Sequence, residues 1–557
     1  MAGNTDRLLT APTRVQGLVW IALLCGLLTI ALSNYHTYLL GTHFDDARYV
    51  ILARSLVISD QYGMINAPGD PPAGKYPFVY PLLLTPFIIL FPQDPNALKF
   101  LSLIATAVNF TLLFWGWRWF SRTRSYWWGL AIAALVTLAP ITIDQTRRVM
   151  SEPVFTTFVL IAIILAEQAA QKLPGRWWSL AMSAALVGVL FTRSIGIVLI
   201  ACIFAYLLFK RGKAFALQLA SVVALMAVIV SIIILTTPVQ LRDLLPSEYL
   251  KDENAGLVLA PVTGVVPTED GAPSATVSTP PDWTQKVKTL VIDYILIYGT
   301  VHHFGKDMRV IAFPLGGGGR EEALAERIGL PFLPLLFGFC ISGLVLFGWY
   351  RQFKQEGLTL LLMFGAVYLA TLFLWVWDDP RLLYPIQPQI QLGFLLGIEA
   401  LVVFLVTRVR FRSPHAILAG IAILLILIAA IKGTQIEDSR LHTGDIRART
   451  TWLAKNAPPS AILMSEASEI DYLYGGRKTV TYPTVASPAQ LDEFLIAHKI
   501  DYVLIAPFIQ WQTEYKPTYS ETTTKFKSWF EEFAALKRAT LVYSFEPEMI
   551  RIYQITR

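Results

Sequence analysis

The chain predicts an α-helical polytopic membrane protein, with about eleven transmembrane helices and a C-terminal α/β domain outside the bilayer. Three observations carry this. Of its 557 residues 54% are hydrophobic and only 15% charged, against about 25% charge in a soluble globular protein, and mean hydropathy is +0.51. Apolar runs long enough to cross a hydrocarbon core of about 30 Å, which takes roughly 20 residues in helix, recur up to residue 432. From 433 onward the apolar character stops, and helical and strand patterns alternate. This balance excludes a cytosolic enzyme, a disordered chain and a nucleic-acid binder. Net charge is only +6, from 46 basic and 40 acidic residues, and the three cysteines, Cys25, Cys202 and Cys340, all lie in apolar runs. They offer neither a disulfide framework nor a thiolate metal site.

The candidate spans are 15–36, 97–117, 126–143, 152–169, 177–192, 194–210, 214–236, 331–350, 358–377, 386–407 and 415–432. The first is longer than the core of a secretory signal, about 7–15 residues. It therefore reads as an uncleaved anchor, although Ala31-Leu32-Ser33 resembles a cleavage site, and on either reading residue 41 emerges outside. Pro77 to Pro92 is short and broken by Pro81 and Pro86. The positive-inside rule decides its fate. If it does not cross, the basic connectors Arg7/Arg14, Arg118/Arg122/Arg124, Lys172/Arg176, Lys210/Arg211/Lys213, Arg351/Lys354 and Arg408/Arg410/Arg412 all fall on the cytoplasmic side. The segment is thus expected to be re-entrant or interfacial, its prolines tolerated against protein or a cavity. Trp115/Trp117/Trp119, Trp127/Trp128 and Trp177/Trp178 flank these connectors as interfacial anchors do.

The opposite side receives 37–96, 144–151, 237–330, the turn Asp378–Tyr384 and everything from 433. This divides the chain into a membrane domain, 1–432, and an extracytoplasmic domain, 433–557. In the latter, helices are expected at Asp445–Asn456, Pro488–His498 and Thr523–Lys537. Strands are expected at Ala461–Met464, Tyr502–Ile505, Thr540–Phe545 and Met549–Ile555. Strands alternating with helices suggest a small α/β sandwich, read as a lid or docking domain. Within 237–330, residues 261–282 read as loop and Trp283–Tyr298 as amphipathic helix. Gly316-Gly317-Gly318-Gly319 lacks the Lys-Ser/Thr of a phosphate loop and reads as a hinge.

The residues able to do chemistry gather on that outer side. Asp45 opens a stretch that, if helical over 46–58, places Val50, Ala53 and Val57 on one face able to lie on the membrane surface. Its carboxylate then stands at the helix N-terminus, between lipid and water, unless it merely caps the helix while Asp46 pairs with an arginine. Glu152 heads the fourth span in Ser151-Glu152-Pro153, an ordinary place for an acid and a proline. It is also where an intramembrane cavity would put an ionisable group. Asp144 is a weaker candidate. Lys75, Arg193, Lys306, Arg309 and Arg381 add outer cations, with His302 and His303 nearby. Together they suggest a site for an anionic group at the membrane face.

Asp45-Asp46-Ala47-Arg48-Tyr49, Lys75-Tyr76-Pro77, Ser151-Glu152-Pro153 and Thr192-Arg193 resemble the integral-membrane GT-C glycosyltransferases. The likeness is to the glycosyltransferase 39 relatives of protein O-mannosyltransferase and of the lipid A aminoarabinose transferase. It covers roughly the first 200 residues and extends to the later spans by architecture; Tyr384-Pro385 departs from the Arg/Lys-Tyr-Leu common there. The resemblance implies a polyprenyl-phosphate-linked sugar donor, a lipid, glycan or protein acceptor, inversion at the anomeric carbon, and an extracytoplasmic site on a cytoplasmic (inner) membrane. It makes Asp45 the catalytic carboxylate, Glu152 the second acid and Lys75 a phosphate ligand. Asp46, Arg48, Tyr49, Tyr76, Arg193, Arg381 and Tyr384 become substrate-binding, with His302, His303, Lys306 and Arg309 around the cavity. No cofactor is assigned. A divalent metal ion is the one candidate, since carboxylates and a histidine suit one, although the Trp-Trp pairs precede Gly129 and Ser179 rather than the aspartate of the metal-using oligosaccharyltransferases.

Physical logic runs beside the resemblance. A sugar leaving from a lipid phosphate needs no general acid, but fixed cations must stabilise the departing charge. The acceptor hydroxyl needs a base on the opposite ring face. A hydrolase would want two converging carboxylates, which adjacent Asp45 and Asp46 do not supply. The alternative of a transporter or glycolipid flippase would place its charges near the midplane on broken helices, and a scaffold would act through 433–557 alone.

Overall fold

The structure is a computed structural model. It describes residues 12–59, 61–73, 76–92, 94–121, 123–172, 174–175, 177–239, 304, 310, 312, 330, 332–373, 380–409, 413–436, 446–483, 488–507 and 517–556. Its membrane part begins with α1 (Arg14–Ser33), started by a capping box in which Thr13 and Gln16 satisfy each other's backbone N–H. Then follow α2 (Asp45–Ile58), α3 (Val79–Leu90), α4 (Lys99–Trp115), α5 (Trp117–Phe120), α6 (Tyr126–Leu138), α7 (Pro140–Thr146) and α8 (Glu152–Gln171). After these come α9 (Trp178–Thr192), α10 (Ile197–Arg211), α11 (Ala216–Thr236), α12 (Leu333–Glu356), α13 (Leu360–Leu372), α14 (Gln387–Val409) and α15 (Pro414–Thr434). All eleven expected spans are helical. Among the described residues eight are long and apolar enough to cross a membrane, nine if α6 and α7 count as one span bent by 61°. The exceptions, α9 and α13, have only 15 and 13 residues.

The bend has a specific cause. Pro140 has no N–H to give the carbonyl of Val136, four residues earlier. Thr142 Oγ1 donates to that oxygen instead at 2.6 Å, and Gln387 Nε2 at 3.3 Å. Close packing of α12 on α14 likewise depends on missing side chains: a Cβ on Gly348 would stand 1.8 Å from the carbonyl oxygen of Gly393.

The helices share two polar ends. At one, Asn34 Nδ2 donates to Gly433 O at 3.0 Å, and Lys99 Nζ reaches Tyr35 O at 3.2 Å and Tyr38 O at 2.8 Å. At the other, Arg124 and Arg351 pair with Glu399 at 2.7 and 3.2 Å. The expected apolar face of α2 meets protein rather than lipid: Val50 and Ala53 are fully buried against Tyr80 and Leu84 of α3, while Val57 is exposed. The Pro77–Pro92 segment holds a single twelve-residue helix, α3.

The C-terminal part contains α16 (Ile446–Asn456), β1 (Ile462–Met464), α17 (Ser468–Gly475), β2 (Lys478–Val480), α18 (Pro488–Ala497), β3 (Tyr502–Ile505), α19 (Glu521–Phe533), β4 (Ala539–Phe545) and β5 (Ile550–Ile555). The sheet order is β2-β1-β3-β5-β4, parallel through β2, β1 and β3 and antiparallel at β5 and β4. Leu491, Leu495, Phe526 and Phe530 of α18 and α19 cover one face, and Leu453 of α16 packs on the other. Every expected element of this domain is present; α17 and β2 are additional.

Candidate active site

The site forms where α2, α8, α9 and the turn before α14 meet beneath the C-terminal domain. Phe44, at φ 56°, turns the chain into α2, so Asp45 is its first helical residue. Oδ1 of Asp45 accepts the Tyr76 hydroxyl at 2.8 Å and Oδ2 accepts Nη2 of Arg381 at 2.9 Å. Arg381 comes from the 3-10 turn Pro380–Ile386. Its Nη1 also lies 3.8 Å from Oε1 of Glu152, the first residue of α8. That same oxygen accepts Nη1 of Arg193, the C-cap of α9, at 2.5 Å. Arg193 further reaches Ser151 Oγ at 3.4 Å, and Ser151 is hydrogen-bonded to the Tyr49 hydroxyl at 3.0 Å. Two carboxylates and two guanidiniums therefore alternate from Asp45 through Arg381 and Glu152 to Arg193.

The row is accessible at both ends and sealed at Glu152. Asp45 keeps 28% of its side chain accessible and Arg193 20%, against 1% for Glu152, so Asp45 is the more open of the two carboxylates. Burial alone would raise the Asp45 pKa, but the Arg381 guanidinium, the Tyr76 hydroxyl and nearby His43 outweigh it and hold the carboxyl below its ordinary value. Oε2 of Glu152 is buried and has no hydrogen-bond partner among the described residues, an acceptor left over for a group from elsewhere.

Asp46, Arg48, Tyr49, Tyr76 and Tyr384 take different positions. Asp46 is fully buried and points away, taking the Tyr38 hydroxyl at 2.6 Å and the Gly41 N–H at 2.9 Å. It organises the loop that delivers Asp45. Arg48 Nη1 donates to the Tyr76 hydroxyl at 2.9 Å, while Nε and Nη2 both reach Oε1 of Glu469 at 2.7 Å. Tyr49 stands edge-on to Tyr76 and Tyr80. Tyr384 is buried in the turn that carries Arg381. Asp144 is occupied by Arg147 and Arg148 at 2.7 and 2.6 Å. Lys75, His302, His303, Lys306 and Arg309, like the Gly316–Gly319 run, lie outside the described residues.

Glu469 was not anticipated from sequence. The available signal was the spacing of Ile470, Leu473 and Tyr474 before Gly475-Gly476, a short helix with a glycine stop; Gly476 does adopt φ 66° there. Among the described residues no three His, Cys, Asp or Glu side chains converge as a metal site, and a guanidinium stands between Asp45 and Glu152. The row can thus hold an anionic group on its arginines while presenting an ionised, partly exposed carboxylate at the Asp45 end.

No family model matches the chain, and no curated protein matches it in sequence. Solved structures do match in fold. ArnT from Cupriavidus metallidurans bound to undecaprenyl phosphate superposes with a TM-score of 0.52 at 12% identity, covering 97% of this chain and 98% of that one. The archaeal oligosaccharyltransferase AglB from Archaeoglobus fulgidus, in complex with an inhibitory peptide and a dolichol-phosphate, gives 0.52 at 12% identity over 88% of this chain and 70% of its own. The chain has the GT-C membrane fold that these structures share.

Proposed function

We propose that a protein with this fold and this row of charges is an inverting glycosyltransferase. It moves a sugar from a polyprenyl-phosphate donor to an acceptor hydroxyl on the extracytoplasmic face of a cytoplasmic membrane. The observation that carries the reading is Asp45, an ionised, partly exposed carboxylate at one end of a bundle, backed by Arg381 and Arg193. Support also comes from the fold shared with structures that hold undecaprenyl phosphate and dolichol-phosphate.

Each group has a place in the reaction. Arg381 and Arg193, with Lys75, cradle the donor phosphate and stabilise the charge that develops as the bond from the anomeric carbon to the phosphate oxygen breaks. The acceptor oxygen forms its bond to that carbon from the opposite face, and Asp45 takes its proton. A carboxylate with a depressed pKa is a weak base, so the proton moves late, once the oxygen has been acidified by bonding to the oxocarbenium-like centre. Oε2 of Glu152 accepts a sugar hydroxyl. Donor phosphate competes with Asp45 for Arg381, so donor binding releases the carboxylate for the acceptor.

The test starts from lipid that copurifies with the protein, identified by mass spectrometry and then supplied in labelled form to wild type and Asp45→Asn in proteoliposomes. Wild type releases polyprenyl phosphate and Asp45→Asn loses transfer by at least about 10³-fold, the scale of removing a general base along with its charge. Undiminished transfer by Asp45→Asn, or a copurified lipid moved across the bilayer with its sugar still attached, overturns the assignment.

A further inference from the structure

We propose that Glu469, on α17 of the C-terminal domain, is a positioning residue for Asp45, acting through Arg48 and Tyr76. The inference rests on the reading of Asp45 as the reactive carboxylate, and it adds to that reading a second domain's hold on the group.

The chain of contacts has a direction. Oε1 of Glu469 takes two N–H groups of Arg48, Nε and Nη2, each at 2.7 Å and across 421 residues of sequence. This fixes the plane of the guanidinium and aims Nη1 at the Tyr76 hydroxyl, 2.9 Å away. A tyrosine hydroxyl has a single proton. Because Arg48 donates to the oxygen, that proton is committed outward, and it goes to Oδ1 of Asp45 at 2.8 Å. Glu469 is itself braced, Oε2 accepting the Ser468 hydroxyl at 3.1 Å.

The domain supplying Glu469 is fastened around the same loop. Tyr474 donates to Leu40 O at 2.8 Å, Thr479 N–H to Asn66 O at 2.6 Å, and Lys478 pairs with Asp70 at 2.6 Å. Gly41, at φ 101°, brings the loop so close that a Cβ there would lie 3.2 Å from Ile470 Cγ1. These fastenings hold the domain on the loop, and Glu469 is the side chain through which it reaches Arg48. Among the described residues, the charged and titratable groups around Asp45 are Arg381, Tyr76, Tyr49, His43 and Glu152 with its partner Arg193, and the Glu469 relay reaches it through Arg48 and Tyr76.

Simple electrostatics and positioning predict opposite signs. Removing the negative charge of Glu469 at a distance would favour ionised Asp45 and push its titration down. Losing the relay withdraws a hydrogen bond to the ionised form and pushes it up. The experiment follows carbodiimide labelling at Asp45 against pH by mass spectrometry, on the full-length protein in lipid nanodiscs, since only the protonated carboxyl reacts. Glu469→Gln and Glu469→Asp, the latter keeping the charge but losing reach, should each raise the labelling midpoint by about one pH unit, or tenfold in the protonation equilibrium. Tyr76→Phe should raise it at least as far, and combining it with Glu469→Gln should add nothing. Lys478→Ala, which loosens the domain without touching the relay, should leave the midpoint unchanged. A midpoint that stays or falls in both Glu469 variants, additive shifts, or an equal rise in Lys478→Ala overturns the proposal. Transfer retained by Asp45→Asn would sink the enzymatic reading instead, and does not alter the labelling result.

Discussion

Arg381 has two tasks at the scale of single residues, and they conflict. It keeps Asp45 ionised and it is placed to hold an anion, so its loss should be felt in both binding and pH dependence. The sign follows from the depressed pKa of Asp45. Ionised Asp45 persists below the ordinary carboxyl value of about 3.9, and its contribution to stability is lost only as pH falls through the lower folded-state value. In Arg381→Gln the strongest influence opposing burial is gone, so the acidic limb of transfer should move upward by about one pH unit, with the maximum rate down roughly 10²- to 10³-fold, as for loss of one charge-stabilising donor. A pH–rate series on the copurified donor checks this; an acidic limb identical to wild type would show that Arg381 does not govern Asp45. Position alone also separates two neighbours that sequence treats alike: Asp46 is spent on Tyr38 and Gly41, whereas Asp45 faces its cations.

Among the elements, legibility tracks the range of the signal. The spans and most of the C-terminal helices and strands follow from local periodicity and hydropathy, which is why Tyr502–Ile505 falls where expected. The break at Pro140 shows in sequence only as a proline; its repair by Gln387, 247 positions away, is a tertiary fact. Of the site, Asp45, Glu152, Arg193 and Arg381 could be named because ionisable residues at span ends are conspicuous. Their order in a row could not, nor could Glu469, whose helix has eight residues and no long apolar face. The α12–α14 contact illustrates a constraint that periodicity misses and mutagenesis can reach. A Cβ on Gly393 would stand 2.6 Å from Trp349 Nε1 and 2.8 Å from Val345 O, whereas one on Gly420 in α15 meets nothing within 4 Å. Gly393→Ala should therefore cost about 1–3 kcal/mol as overpacking does, lowering the thermal unfolding midpoint in detergent. Gly420→Ala should be neutral or slightly stabilising, since alanine is the better helix former. Equal midpoints for the two variants would refute the close approach.

For the whole molecule, short and long helices converge on the end that carries the site. At 1.5 Å per residue, the 15 residues of α9 and 13 of α13 rise about 22 and 20 Å, short of a hydrocarbon core of about 30 Å. Arg193 ends α9, and the chain leaving α13 returns as the Arg381 turn. Both guanidiniums meet Glu152, the first residue of the 20-residue α8, so the two short helices bring their arginines to the same end of the bundle as a full-length span. The proposed transfer requires the end carrying Asp45 and the sheet domain to face outward and the end carrying Arg124, Lys210, Lys354 and Arg408 to face the cytoplasm, which is also what the positive-inside rule expects. Because Cys25, Cys202 and Cys340 all lie within spans, they can be replaced by serine or alanine to give a background for accessibility measurements. In intact cells, permeabilised only at the outer membrane if there is one, a membrane-impermeant maleimide should label Glu546→Cys on the sheet domain and spare Lys354→Cys at the end of α12 until the inner membrane is opened. The reverse pattern would place Asp45 on the cytoplasmic side, where an outward-facing transfer has no use for it.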